Sequence, residues 1–307
     1  MRDVLRVAAS ELPGRLSSPD PFGHERLVVV DGDVDAGLEA RLESVAAVLV
    51  GVDLDASTGD ELAGIERAVR DHPEASVGLV LALRGSERRS VPEQLLVESL
   101  AYATLQGGDE HRTWLASRER RDRPPPAEPV RVAREGDVLS VTLADPDRRN
   151  AYSAPMRDAL VEALALPAAD LGLPVVLRGE GPCFSAGGDL DEFGTVPDPA
   201  TAHDIRMRRS AGRALAAIAD RVTAEVHGAC VGAGVELPAF AGHVVAHPGT
   251  TFRLPEVAMG LIPGAGGTAS LPARIGRRRT ALLALLGEPI DASTALAWGL
   301  VDELTPT

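Results

Sequence analysis

The chain has no lysine: all 31 basic side chains among its 307 residues are arginine. Schiff-base formation and lysine acid/base catalysis are therefore excluded. An anionic group on a ligand could be met only by arginine, backbone N–H groups or helix N-termini. Cysteine is scarce, with only Cys183 and Cys230 present. Two are too few for a disulfide framework and lack the spacing of a zinc site, so they read as small packing residues. Asn150 is the one asparagine, and aromatic residues make up 3% of the chain, which points to an aliphatic lining for any ligand pocket. No run approaches the ~18 apolar residues of a membrane span. The N-terminal segment MRDVLRVAASELPGR has no apolar signal core. The expectation is a cytoplasmic protein with no membrane partner and no metal. Positive surface charge is missing as well. A net charge of −14 argues against nucleic acid as a partner, although a local arginine cluster can still hold an anion.

What is present is an ordinary globular composition, 45% hydrophobic and 25% charged, in a chain long enough for one large domain or two. The clearest break is RERRDRPPPAEPV at 118–130, where a charge run leads into consecutive prolines. It predicts two units, 1–125 and 126–307. In the first, strands are expected at 27–30, 48–54 and 77–83, and helices at 36–46, 59–72, 91–106 and 109–121. This strand–helix alternation predicts a small α/β unit. In the second, two strands are expected over 130–145, a helix over 154–165 and a strand at 173–179. A helix from Asp189, another over 202–219 and a strand at 221–228 follow. A helix from 234, short strands near 243 and 251, and helices at 267–275, 277–286 and 291–298 complete the unit. Residues 61–85 parallel 156–179, each an amphipathic segment, a loop and an apolar run ending Leu-Arg-Gly. Both true duplication and common α/β grammar remain open readings of that repeat.

Two glycine turns carry the chemistry. CFSAGGDL (183–190) and HGACVGAGVE (227–236) each follow an apolar strand, and their glycines permit tight turns that expose N–H groups able to stabilise an oxyanion. The second turn leads to Glu236, and TTFRLPE (250–256) leads to Glu256, two carboxylates in apolar surroundings. Each also has a plain structural reading as an acid in the first turn of a helix. Asp189 and Glu192 likewise fit a D-x-x-E capping box. The glycines fall as GxxxGxG without a ribose-binding acid downstream, which disfavours a dinucleotide. His227 and His243 read as structural, since no nucleophile elbow accompanies them.

These segments together resemble the enoyl-CoA hydratase/isomerase (crotonase) family. The resemblance spans 130–304 and rests on RRNAYS (148–153), FSAGGDL (184–190), HGACVGAGVEL (227–237), FRLPEVAMGLIPGAGGTASLPARIG (252–276) and ALAWGLVDEL (295–304). It implies an α/β fold, a crotonase-like ββα spiral core joined to a smaller N-terminal α/β domain. It implies an acyl-CoA lyase that adds or removes water across Cα–Cβ through an enolate. The N–H groups of Ala186 and Ala233 would form the oxyanion hole, Glu236 would activate water and Glu256 would serve the Cα proton. Ser185, Gly187, Gly188, Asp189, Gly232, Pro263, Gly264 and Arg149 would line the substrate site. Coenzyme A would enter as part of the acyl-CoA thioester, with no separate cofactor, and the implied assembly is a homo-oligomer, a trimer or dimer of trimers. Ala233 stands where the family has glycine, and Gly242 where it often has aspartate.

The family's trailing helices are absent after GLVDEL, whereas 91–124 resembles such a segment placed ahead of the core. Residues 1–125 are therefore expected to be a shortened crotonase-like unit whose helices at 91–121 form a lid. An isomerase, another crotonase-type reaction, and a noncatalytic acyl-CoA-binding or partner-dependent subunit are the alternative functions.

Overall fold

The structure is a computed structural model that describes residues 4–12, 16, 27–31, 47–52, 59–121, 124 and 127–306. Near the N-terminus, strands β1 (Val4–Ala8), β2 (Leu27–Asp31) and β3 (Ala47–Val52) form a parallel sheet in that order. The unbroken Leu-Val-Val-Val run of β2 suits a strand buried on both faces. Its period of two places Val28 and Val30 in a small cluster with Val7 and Leu12, while Val29 joins the main core. The helix expected at 36–46 lies outside the described residues.

Four helices follow: α1 (Gly59–Asp71), α2 (Pro73–Leu83), α3 (Val91–Gln106) and α4 (Asp109–Ala116). The segment expected as a strand at 77–83 is instead the second half of α2. A short apolar run suits a buried strand or a buried helix equally. Here Pro73 starts a helix whose Ala75, Leu79, Val80, Ala82 and Leu83 are all buried. The parallel between 61–85 and 156–179 therefore has no structural counterpart, because the second segment does end in a strand. Helix α3 starts with Glu93 accepting hydrogen bonds from the N–H (2.8 Å) and hydroxyl (2.6 Å) of Ser90.

The rest of the chain builds a six-stranded sheet and a three-stranded one. The larger contains β4 (Val130–Glu135), β5 (Val138–Leu143), β6 (Val175–Gly179), β7 (Val222–Val226), β9 (His243–Ala246) and β12 (Glu303–Leu304), in the order β12-β9-β7-β6-β5-β4. Only the β4–β5 hairpin is antiparallel. The smaller contains β8 (Ala229–Val231), β10 (Thr251–Arg253) and β11 (Ile290–Asp291), in the order β11-β10-β8. Helices α5 (Ala154–Ala169), α6 (Pro199–Arg208), α7 (Ala211–Ala216), α8 (Ala233–Glu236), α9 (Gly267–Leu286) and α10 (Ala292–Trp298) complete the chain.

Several helix expectations need correction. None starts at Asp189, whose Oδ1 accepts the Asp191 N–H at 3.0 Å in a local turn, while Glu192 reaches away to accept the Ala154 N–H at the start of α5 (2.7 Å). The helix expected over 202–219 is two, because Ser210 leaves the helix and caps α7 through the Arg213 N–H. The helix from 234 is one turn, followed by a 3₁₀ turn at Pro238–Phe240. Helices 267–275 and 277–286 stand as expected, two helices meeting at a kink at Gly276 (φ 77°) and together labelled α9. Among the described residues no helix is long and apolar enough to cross a membrane.

One hydrophobic core joins the helices before the proline-rich segment to those after it, with Ile65, Leu79 and Leu95 in the same cluster as Leu271 and Leu283. Helix α3 lies against α6 and α9. Helix α4 lies beside the 3₁₀ turn Glu256–Met259, where His111 Nδ1 is 2.9 Å from the Met259 carbonyl.

Candidate active site

Asn150 organises the first glycine turn. Its side chain is fully buried, accepts the Asp145 N–H (2.9 Å) and donates to the carbonyls of Glu180, Cys183 and Phe184. That fastens the 145–150 loop to the end of the segment entering FSAGGDL, a backbone role of the kind expected for it. Arg149 and Asn150 are both left-handed (φ 54° and 52°), which turns the Arg149 carbonyl towards Ala186.

That contact overturns one expectation. The Ala186 N–H donates to the Arg149 carbonyl at 2.9 Å and is not available to a ligand. The Gly187 N–H goes to Ser185 Oγ (3.2 Å). Gly188, one residue further, lines the pocket, and its N–H makes no bond among the described residues. The Ala233 N–H at the start of α8 is likewise uncommitted, and Ala233 lines the same pocket. The structure therefore brings together Gly188 and Ala233 as the available pair of donors.

Ser185, expected to touch substrate, instead faces inward: it is buried and donates to the Asn150 carbonyl at 2.7 Å. Gly187 is a structural turn (φ 88°), where a side chain would strike the Val231 carbonyl. Asp189 pairs with Arg148 (3.2 Å) along a groove also lined by Ala151, Ala186 and Gly188. Arg149 itself is exposed and does not line the pocket. Gly232 is left-handed (φ 50°), gives its N–H to the Arg253 carbonyl (2.9 Å), and leaves no room for a side chain beside Glu256 Oε1. Pro263 is buried behind Glu236 and Gly267 rather than in the pocket wall. Gly264 is in the wall, pressed against the Tyr102 ring.

Glu236 and Glu256 line one pocket of about 710 Å³, counting its open mouth. Glu236 is 2% exposed. Its Oε2 accepts the N–H groups of Ala265 (2.7 Å) and Gly267 (2.8 Å), leading into the positive end of α9. Burial raises its pKa to about 7, against the pull of those two hydrogen bonds. Glu256 starts the 3₁₀ turn after Pro255, and its buried Oε2 has no hydrogen-bond partner. Burial first, and the charge of Glu236 second, push its carboxyl well above the ordinary range. An unpartnered buried carboxyl calls for an explanation, and a proton held for a ligand supplies one.

Sequence reasoning missed what α3 contributes. Glu98 is 3% exposed. It accepts the N–H groups of Gly266 and Thr268 and the Thr268 hydroxyl, each at 2.8 Å. The four successive N–H groups of 265–268 thus alternate between Glu236 and Glu98. Burial and the nearby Glu236 raise the Glu98 pKa to about 8. Gln94, Glu98 and Tyr102 recur every four residues on α3, so they share a face. That spacing was visible, but the surface the face meets, 168 residues away in sequence at Gly266, was not. Gln94 donates to Thr268 Oγ1 at 3.1 Å.

The expectation of an aliphatic lining is also corrected. Both tyrosines of the chain, Tyr102 and Tyr152, line the pocket with Phe193. Phe193 is backed by Trp114 of α4 (ring centroids 5.8 Å apart). Few aromatics overall says nothing of where they gather. Among the described residues no group of three or more His, Cys, Asp and Glu is arranged to hold a metal ion.

The family model described as enoyl-CoA hydratase/isomerase matches residues 133–307, more than half of the chain. The 2,3-dehydroadipyl-CoA hydratase of Escherichia coli (strain K12) is 37% identical over 177 residues, 57% of this chain and 69% of that protein. The enoyl-CoA isomerase/hydratase fer4 of Mycosarcoma maydis is 31% identical over 189 residues, covering 58% and 69% respectively. Among solved structures, the enoyl-CoA hydratase of Thermoplasma volcanium GSS1 superposes with a TM-score of 0.54 at 31% identity, covering 58% of this chain and 71% of that one. A Thermobifida fusca YX protein solved in complex with CoA gives 0.52 at 29% identity, covering 58% of this chain and 72% of that one. With its crotonase-like α/β core and these relatives, the chain belongs to the enoyl-CoA hydratase/isomerase family.

Proposed function

We propose that the protein reversibly adds water across the Cα–Cβ double bond of an enoyl-CoA thioester. The observation that carries this reading is the pairing, in one pocket, of two buried carboxylates with unequal partners. Glu236 is anchored by two N–H groups on one oxygen, whereas Glu256 Oε2 has none. Environments that separate two carboxyl pKa values divide the roles of base and acid.

In this reading the thioester oxygen accepts the Gly188 and Ala233 N–H groups, which polarise the carbonyl and stabilise the enolate as charge develops on oxygen. Ionised Glu236 holds a water through its free oxygen, takes its proton, and directs the hydroxyl to Cβ. Protonated Glu256 delivers its proton to Cα, and dehydration is the reverse. The deeper proton-holding tendency of Glu256 matches its role as acid near neutral pH. The charge of Glu98 across the 265–268 loop opposes full ionisation of all three carboxylates.

Glu236→Gln and Glu256→Gln each keep the side-chain shape and remove the proton chemistry. Each should lower the hydration rate by about 10²–10⁴-fold, followed as the gain of one water in product mass from purified enoyl-CoA. Retention of the wild-type rate by either variant would overturn the assignment.

A further inference from the structure

Gly188 lies between two spaces. One is the groove along Arg148, Ala151, Ala186 and Asp189. The other is the pocket holding Glu236 and Glu256. Beyond Gly264 and Ala265 that pocket meets a second cleft, about 430 Å³ counting its open mouth, which shares Tyr152, Arg157 and Arg206 with it and adds Arg209 and Arg213. A thioester seated on Gly188 and Ala233 must send its reacting Cα–Cβ arm past the glutamates, so the arginines lie ahead of the acyl chain. In a chain of net charge −14, this concentration of cations needs a reason.

Arg206 is the central one. It is half-buried, and its guanidinium stacks 4.5 Å from the Tyr102 ring centre. Its nitrogens donate to Ser99 Oγ (3.1 Å), the Ser99 carbonyl (3.3 Å) and Gln106 Oε1 (3.4 Å), all neutral acceptors. It forms no ion pair with a carboxylate among the described residues, and burial lowers its pKa. Glu98, in the wall of the same cleft, attracts it without forming an ion pair, and a partly desolvated cation with no direct partner is costly. Arg157 spends Nε and Nη2 on Asp158 (2.9 Å each) and makes no described bond through Nη1. Arg209 is only loosely paired with Glu162, at 3.9 Å, and both are largely exposed.

We infer that the acyl group of the substrate ends in a carboxylate, which gives Arg206 the direct ion-pair partner it lacks, with Arg157 at its side. This assignment rests on the enoyl-CoA reading of the site. It adds a specificity-determining subsite to the acid/base pair and selects ω-carboxyacyl thioesters over plain fatty ones. A guanidinium fork meeting a carboxylate in a partly dry cleft discriminates by about tenfold or more.

The test uses the full chain and matched pairs of α,β-unsaturated acyl-CoA thioesters, equal in length and ending in methyl or carboxylate. Wild type should show kcat/KM at least about tenfold higher for the carboxylate. Arg206→Met should reduce that ratio about tenfold, and Arg206→Lys should retain part of it. Ser99→Ala, which removes one tether of Arg206 but not its charge, should keep the preference. A purely structural Arg206 would instead lower both substrates together and make the Met and Ala variants behave alike. Absence of a wild-type preference, or an unchanged ratio in Arg206→Met, overturns the subsite while leaving the hydration reading intact. Weaker binding of free CoA by Arg206→Met would assign the cations to CoA phosphates and overturn it as well. If neither thioester is turned over, the hydration reading fails alone. Equilibrium binding of the matched saturated pair to wild type and Arg206→Met then decides the subsite by the same ratio.

Discussion

Buried Glu98 and Glu236 and half-buried Glu256, whose Oε2 is buried, hold their protons more tightly than free carboxyls do. A carboxyl whose folded pKa is raised contributes full stability below its unfolded value, near 4.5 here. That contribution is lost as pH rises through the raised values, since ionisation then favours the unfolded chain. The thermal midpoint should therefore fall between about pH 5 and about pH 9 beyond what surface groups cause. Glu256→Gln, a permanent mimic of the protonated form, should flatten part of that fall and match or exceed wild type at the alkaline end. A midpoint that falls as steeply in the variant would show that Glu256 is not a buried neutral acid. Gly232 offers a second residue-scale test. Alanine there must adopt a left-handed backbone (φ 50°) and press on the Glu256 carboxyl. The strain should cost about 1–2 kcal/mol in urea unfolding. Displacement of the acid should lower kcat by more than about tenfold, as misplacement of a reacting group does.

At the scale of elements, the loop 264–268 is a joint built by two helices remote in sequence. Its N–H groups are the exposed donors at the head of α9, and Glu236 of α8 and Glu98 of α3 satisfy them alternately. Removing Glu98 leaves two buried N–H groups and a hydroxyl without acceptors. Glu98→Ala should destabilise the chain by about 1–3 kcal/mol in urea and speed hydrogen exchange at Gly266 and Thr268 specifically. Uniform exchange through the core would argue against a clamp. Elements also show why one segment misled. The run at 77–83 and the β2 run are both apolar. The former lies behind Pro73 within eleven helical residues, while the latter has strand partners on both sides. Pairing, not composition, separates them.

For the whole molecule, helices before the proline-rich segment and the core after it share one hydrophobic cluster and one site wall. Continuity of the chain between them is then dispensable once folded. A protease site introduced at the exposed pair Ala127–Glu128 and cut in the native state should give two fragments that co-elute on gel filtration. Activity should persist in that nicked complex. By contrast, the separated C-terminal fragment should lose it, lacking Tyr102 and Glu98. Fragments that part immediately after cutting would show that the shared core is too weak to hold them.

The sequence alone determined the family, the two glycine turns and the pair of glutamates, because these depend on local backbone chemistry written in contiguous residues. It also singled out Ala233, whose N–H makes no bond among the described residues. It pointed to Ala186 rather than Gly188, because the capture of the Ala186 N–H by the Arg149 carbonyl exists only in the folded loop. It could not place Glu98, Tyr102 or Arg206 at the site. Their positions are set by helices that meet only when the whole core closes, and long-range packing leaves no local signature in a single chain. The tertiary structure alone decided which N–H groups stay free, which carboxyl lacks a partner, and where the cations wait.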